Sequence, residues 1–147
     1  MSIEIPELSI DEWISGLKPY QKNSINQLLK SNEPNDVAKI WLTSHGALTT
    51  IPFGGIRDTN LFWKNFVDEF NKFICDDTEY ANEKKDFKSE IPLSKELLIS
   101  VISAAIGAKL GFSATFVAPV VALSLFTVGK LTKNAYCATY YKGKSVS

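Results

Sequence analysis

Apolar residues recur at helical spacing through much of the first ninety residues. The clearest case is the stretch 58–77, where Phe62, Phe66, Phe70 and Phe73 follow one another at steps of four, four and three. This spacing places the four rings on one face of a helix, with charged residues on the opposite face. We expect the ring face to lie in a protein core, although it could instead form a docking surface.

The N-terminal residues carry the signals of shorter helices. Ser9 followed by Glu12 forms a capping box, which predicts a helix that begins at residue 10. Further helices are predicted from residue 19 to about 30 and from Pro34, a residue suited to the first turn. The stretches 3–6 and 46–58 are richer in β-branched residues and predict at most one short two-stranded β element.

The last third of the chain is apolar on nearly every face. Between residues 97 and 128 the only charge is Lys109, and residues 110–129 contain none. Two helices, 94–109 and 113–137, are predicted to form a hairpin. The fold class is therefore mainly α, with an amphipathic helical part at 1–90 and an apolar hairpin with a basic and aromatic tail at 91–147.

Several features of the hairpin favour a membrane. A helix of twenty residues is about 30 Å long, which matches the hydrocarbon thickness of a bilayer. Small residues at four-residue spacing are typical of helix packing in lipid. They are Gly107 and Gly111 at the corner, and Ala114, Ala118 and Ala122 on the second helix. Lysines and tyrosines between residues 130 and 144 resemble an interface belt.

Other features favour a core covered by protein. Each leg of the hairpin is near the lower limit of spanning length. Hydroxyl residues such as Ser103 and Thr115 dilute the apolar character. Pro119 lies inside the second helix, where it should produce a kink in either environment.

Charge and cysteine content narrow the function classes. The chain has 16 basic and 16 acidic residues, whereas nucleic-acid binders usually show a basic excess. Its two cysteines, Cys75 and Cys137, could form one disulfide, but we expect reduced buried thiols. The first residues lack the features of a secretory signal, which favours a cytosolic N-terminal part.

The sequence offers little catalytic or metal chemistry. The single histidine, His45, follows Ser44 directly, so the two side chains diverge and no nucleophile–base pair is predicted. Cys75, Cys137 and His45 lack the local spacing of a zinc site. Arg57, after two glycines, is a possible anion contact. We expect no cofactor, no metal and no enzymatic activity.

Two functions remain, and they differ in what covers the hairpin. The first is a membrane-associated protein at the cytoplasmic face of the cell membrane. Its hairpin inserts and self-associates into a homo-oligomer, while the helical part binds a partner. This layout resembles small bacterial effectors and holin- or colicin-type hairpins. The alternative is a cytoplasmic all-α interaction module, of immunity, antitoxin or adaptor type, which buries the hairpin in its own core or against a partner.

Overall fold

The protein is mainly α, as the sequence predicts. A computed structural model describes residues 5–43, 59–76, 78–84 and 94–138. The helices are α1 (Ile10–Ile14), α2 (Pro19–Leu29), α3 (Pro34–Trp41), α4 (Thr59–Cys75), α5 (Ala81–Lys84), α6 (Lys95–Leu110), α7 (Ala114–Leu131) and α8 (133–138). The predicted β element lies largely outside the described residues.

The most apolar helix, α7, lies at the centre of the bundle. α1, α3 and α6 pack directly against it. A Cβ atom on Gly129 would overlap the carbonyl oxygen of Pro6, so the N-terminal segment also lies on α7. The seven residues from Pro119 to Leu125 are all buried, and both Val121 and Leu125 are completely inaccessible. The chain therefore covers two full turns of this helix by itself.

The other hairpin helix, α6, has a covered face and an exposed face. Leu98, Ile102 and Ile106 recur every four residues and are fully buried. The exposed residues around the other side include the small Ser100, Ala104 and Ala108. In the described chain, burial of α6 is confined to the first of these faces. Alanine exposes so little apolar area that this face can remain in water.

The predicted helix boundaries of the hairpin are largely confirmed. Ser94 and Ser113 accept hydrogen bonds from the third residue of their helices, 3.1 Å in each case. Gly111 ends α6 with φ of +83°. The second leg was predicted to reach residue 137, but α7 ends at Leu131. Thr132 has φ of +75° and its hydroxyl caps the start of α8.

α8 folds back onto the end of α4. Cys137 and Cys75 form a disulfide between the two helices, with the Cα atoms 5.6 Å apart. The expectation of reduced thiols is therefore wrong: each cysteine is buried, but its neighbour is the other cysteine. The Tyr136 hydroxyl donates to Asn71 Oδ1 at 2.6 Å. Burial raises the pKa of Tyr136 to about 12, so this donor keeps its proton at neutral pH.

The aromatic face of α4 is part of the core. Phe66, Phe70 and Phe73 are at most 1% exposed, and Phe62 is half-buried. Phe62 and Phe70 meet the rings of Phe112 and Tyr136 edge-on, which ties α4 to the hairpin corner and to α8. The core interpretation of the four phenylalanines is thus confirmed.

Candidate functional site

The corner glycines build the turn of the hairpin. The carbonyl of Gly107 accepts hydrogen bonds from the backbone N–H groups of Gly111 and Phe112, at 2.8 and 2.9 Å. A Cβ atom on Gly107 would lie 2.6 Å from the Phe112 carbonyl oxygen. Gly111 adopts the left-handed conformation, which glycine reaches without steric cost. Both glycines therefore contribute to the conformation of the turn within a single chain.

The three alanines of the second hairpin helix differ in exposure. Ala114 is exposed, Ala118 is half-buried and Ala122 is completely buried. Ala122 packs inside the chain, so only the first two residues of the stripe reach the surface. Self-association through this stripe stays a prediction.

Pro119 frees a backbone carbonyl that a distant side chain then satisfies. Proline has no N–H, so the carbonyl of Thr115, four residues earlier, loses its helical partner. Gln21 Nε2 donates to that oxygen at 2.8 Å. The carbonyl of Phe116 accepts from Trp41 Nε1 at 2.9 Å. Two nearly inaccessible side chains, from α2 and α3, thereby fix the position of α7.

A cavity of about 280 Å³ opens next to these contacts, between α1, α6 and α7. Trp13, Leu17, Gln21 and Ser103 line it and are buried, so they form its floor. Its exposed lining residues form the mouth: Gly16, Lys18, Glu96, Ser100, Ala114 and Thr115. Lys95, Ile99 and Ala118 are half-buried and form the walls.

Two polar atoms in residues that line the cavity have no hydrogen-bond partner among the described residues. They are Trp13 Nε1 and Ser103 Oγ, in residues that are 0% and 1% exposed. Buried polar groups are nearly always paired in native proteins. Neither atom is accessible to solvent, so both are closed off from the recess itself, and the size and lining of the recess alone make it the candidate binding site of the molecule.

A second polar cluster stabilises the end of α4. The Tyr80 hydroxyl donates to Glu69 at 2.5 Å, and Lys72 pairs with the same carboxylate at 3.3 Å. Burial by itself raises the pKa of Glu69, but the hydrogen bonds from Tyr80 and Lys72 outweigh it and lower the pKa. Lys84 donates to the carbonyls of Lys72 and Asp76, which end the helix. This cluster is a helix cap.

The remaining predicted residues do not contribute to a described site. Arg57 and His45 lie outside the described residues. Cys75 and Cys137 are bonded to each other, so neither is a thiolate nucleophile or metal ligand in this form. Within the described ranges, no group of three or more His, Cys, Asp or Glu residues could hold a metal ion.

The floor of the cavity was not predicted from the sequence. Ser103 was considered only as a residue that dilutes the apolar hairpin. A serine inside an otherwise apolar helical face is the one signal that could have pointed to this position.

The chain matches no known family model, and comparison with curated proteins and with solved structures also finds no match.

Proposed function

We propose that this protein is a non-enzymatic all-α interaction module, of immunity, antitoxin or adaptor type, that folds around its own apolar hairpin. The observation that carries this proposal is the burial of Pro119–Leu125 by the chain itself. With that segment covered, neither lipid nor a second polypeptide is needed to keep it from water. The exposed surface is then free to recognise a protein partner.

The contacts around α7 also favour a protein environment. Gln21 and Trp41 are almost inaccessible, and each donates a hydrogen bond to a carbonyl of α7. Moving α7 into a bilayer would break both bonds and leave the Thr115 carbonyl, freed by Pro119, without a donor. An unsatisfied backbone group in hydrocarbon costs several kcal/mol.

The remaining parts of the proposal follow from composition. Equal numbers of basic and acidic residues favour a protein partner over a nucleic acid. A module of this kind needs no cofactor or metal. Its expected location is the cytoplasm.

A membrane-associated role is the second candidate, and one observation favours it. Among the described residues, α7 is the one helix long and apolar enough to cross a membrane, although about half of it is buried and a core helix meets the same criteria. In this role the hairpin would leave the bundle, insert at the cytoplasmic face of the cell membrane and self-associate into a homo-oligomer.

Fractionation of expressing cells separates the two candidates. The interaction module is expected in the high-speed supernatant without detergent. Val121→Asp should then unfold it, because a charge without a partner would enter a completely buried position. Leu97→Asp is the matched control in the same hairpin, since Leu97 is 40% exposed and should tolerate the change. Recovery of the wild type only in the detergent-soluble membrane fraction would contradict the proposal.

A further inference from the structure

We propose that the disulfide between Cys75 and Cys137 is a redox switch that holds α8 on the end of α4. Reduction by a dithiol releases α8 and uncovers an aromatic recess on α4, while α7 and the helices around it stay folded. The switch is independent of the protein partner proposed above. Disulfides in the cytosol, the location proposed above, are usually transient and either catalytic or redox-sensing.

α8 buries little of its own surface. Of its six residues, Cys137 is buried, Lys133 and Tyr136 are half-buried, and the other three are exposed. The Tyr136 hydroxyl donates to Asn71, and its ring meets the ring of Phe70 edge-on, with the centroids 6.2 Å apart. Isolated helices shorter than about 12–15 residues are marginal in water. A helix as short as α8 therefore depends on the disulfide to remain docked and helical.

The turn that precedes α8 favours its release. Thr132 has φ of +75° and ψ of 149°, a region of backbone conformation that is nearly restricted to glycine. The β-branched side chain of threonine makes this conformation unfavourable, and the docked position of α8 maintains it. Release of α8 allows Thr132 to return to an ordinary extended conformation. The turn therefore opposes docking, and the disulfide offsets this opposition.

The disulfide is closed to reductants while α8 is docked. Cys137 is 0% exposed and Cys75 is 3% exposed. Thiol–disulfide exchange requires a thiolate to reach a sulfur atom, so α8 must move away first. One thiolate of the dithiol then attacks one of the two sulfur atoms and forms a mixed disulfide, which the second thiolate resolves. The dithiol is oxidised to a disulfide, and the two electrons and two protons that it loses convert Cys75 and Cys137 to thiols.

The docked α8 covers an aromatic recess on α4. Tyr136 forms one wall of a cavity of about 380 Å³, whose lining also includes Trp63, Phe66, Val67 and Phe70. Phe66 and Phe70 are at most 1% exposed in the disulfide-bonded protein. Departure of the Tyr136 ring removes this wall and the edge-on contact with Phe70. The reduced protein therefore presents apolar surface that the oxidised protein covers.

Amide hydrogen exchange of the full chain, followed by NMR, tests the release. In the oxidised protein the backbone amides of Tyr136 and Cys137 should be protected. After reduction with dithiothreitol they should lose this protection and exchange like an unstructured peptide. The amides of Val121 and Leu125 in α7 should stay protected, because local opening is separate from global unfolding. Cys75→Ala/Cys137→Ala is the control, since it should behave like the reduced protein with or without dithiothreitol.

The reduced wild type decides the outcome, even if the double variant does not fold. Protection that persists at Tyr136 and Cys137 after reduction would overturn the switch. Loss of protection at Val121 and Leu125 in the reduced protein would also overturn it, because the whole fold and not α8 alone would then depend on the disulfide.

The rate of reduction at a fixed concentration of dithiothreitol tests the route of opening. Tyr136→Phe removes the hydrogen bond to Asn71 and should raise this rate about fivefold, the equivalent of one ordinary hydrogen bond. Tyr20→Phe, at a tyrosine that is 59% exposed, should leave the rate unchanged. Gln21→Leu removes a contact at the other end of α7 and should also leave it unchanged.

Two results would contradict this route. An unchanged rate in Tyr136→Phe would mean that the disulfide does not open through α8. A rate that rises in Gln21→Leu in proportion to its loss of stability would mean that reduction requires global unfolding. Either result would overturn the switch.

Discussion

Gln21 and Thr115 are 94 residues apart in sequence, and the side-chain amide of the first donates to the backbone carbonyl of the second at 2.8 Å. The same amide accepts from the backbone N–H of Lys18 through its oxygen, at 3.1 Å. One buried side chain therefore caps α2 and also satisfies the carbonyl that Pro119 frees in α7. The proline inside the central helix is matched by a donor on a neighbouring helix.

This pairing predicts a specific coupling between Gln21 and Pro119. Gln21→Leu should destabilise the protein by about 1–3 kcal/mol, because a buried carbonyl loses its donor. In a Pro119→Ala background the restored N–H can satisfy Thr115 within the helix, so the loss should be smaller. Chemical denaturation of the four proteins gives the coupling energy. An identical loss in both backgrounds would show that the amide does not serve this carbonyl.

The corner glycines predict unequal effects of alanine. Gly107→Ala places a Cβ atom 2.6 Å from the Phe112 carbonyl oxygen, so the turn must move, at a cost of about 1–3 kcal/mol. Gly111→Ala meets no neighbouring atom, and should cost only about 1–2 kcal/mol for the left-handed conformation.

Thermal unfolding and sedimentation distinguish this turn from an association motif. We expect both variants to melt at lower temperature and to retain the sedimentation coefficient of the wild type. A change of oligomeric state with unchanged melting would instead assign Gly107 and Gly111 to contact between chains.

The disulfide predicts redox-dependent stability. Cys75 and Cys137 are separated by 62 residues, and closing a loop of that length stabilises a fold by up to about 4 kcal/mol. Reduction should therefore lower the melting temperature by up to roughly 8–16 °C for a chain of this size. Cys75→Ala/Cys137→Ala is the control, since it should melt low with or without reductant.

The same bond bears on the cellular location. Disulfides persist mainly in oxidising compartments, whereas the location proposed above is the cytoplasm. Thiol labelling of protein taken directly from cells, under conditions that block exchange, distinguishes the two. The proposed cytoplasmic location predicts two labelled cysteines per chain, whereas labelling of neither cysteine would place the protein in an oxidising compartment and contradict that location.

Glu69 predicts a loss of stability in acid. In the folded protein the pKa of Glu69 lies below its usual value of 4.5. The ionised carboxylate therefore stabilises the folded state at pH values above 4.5. This contribution falls as the pH drops through the folded pKa, when the carboxylate takes up a proton. Tyr80→Phe removes one of the hydrogen bonds responsible for the lowered pKa.

Urea denaturation between pH 7 and pH 3 measures this effect. The deficit of Tyr80→Phe relative to the wild type should be largest at neutral pH and should narrow as Glu69 becomes protonated. Tyr20→Phe provides the control at an exposed tyrosine. A deficit that is constant with pH would contradict the assigned partnership.

Local signals were sufficient to predict most of the helices. Ser94, Ser113 and Gly111 define the hairpin because capping depends on a few adjacent residues. The α4 phenylalanines were predicted correctly because their spacing depends on helix geometry alone. The contacts near the candidate site that join distant parts of the chain were not predictable in this way. Gln21 meets Thr115 only after α2 and α7 have come together, and no local pattern indicates which carbonyl a glutamine will reach.

The covering of α7 was also beyond the sequence analysis. Mean apolarity does not distinguish a helix in lipid from one enclosed by its own chain, because both lack polar faces. The small outer residues of α6, such as Ala104 and Ala108, reduce the area to be covered. This reduction in area can be recognised only when the helix face that each residue occupies is known.

The central position of α7 has a consequence for synthesis on the ribosome. Trp41 is made 75 residues before Phe116, whose carbonyl it binds. At about 5–20 residues per second, this delay is roughly 4–15 s. During that interval the apolar side chains of the nascent α1, α3 and α4 cannot pack against α7, because α7 has not yet been synthesised. The emerging chain is therefore expected to be a client of ribosome-associated chaperones.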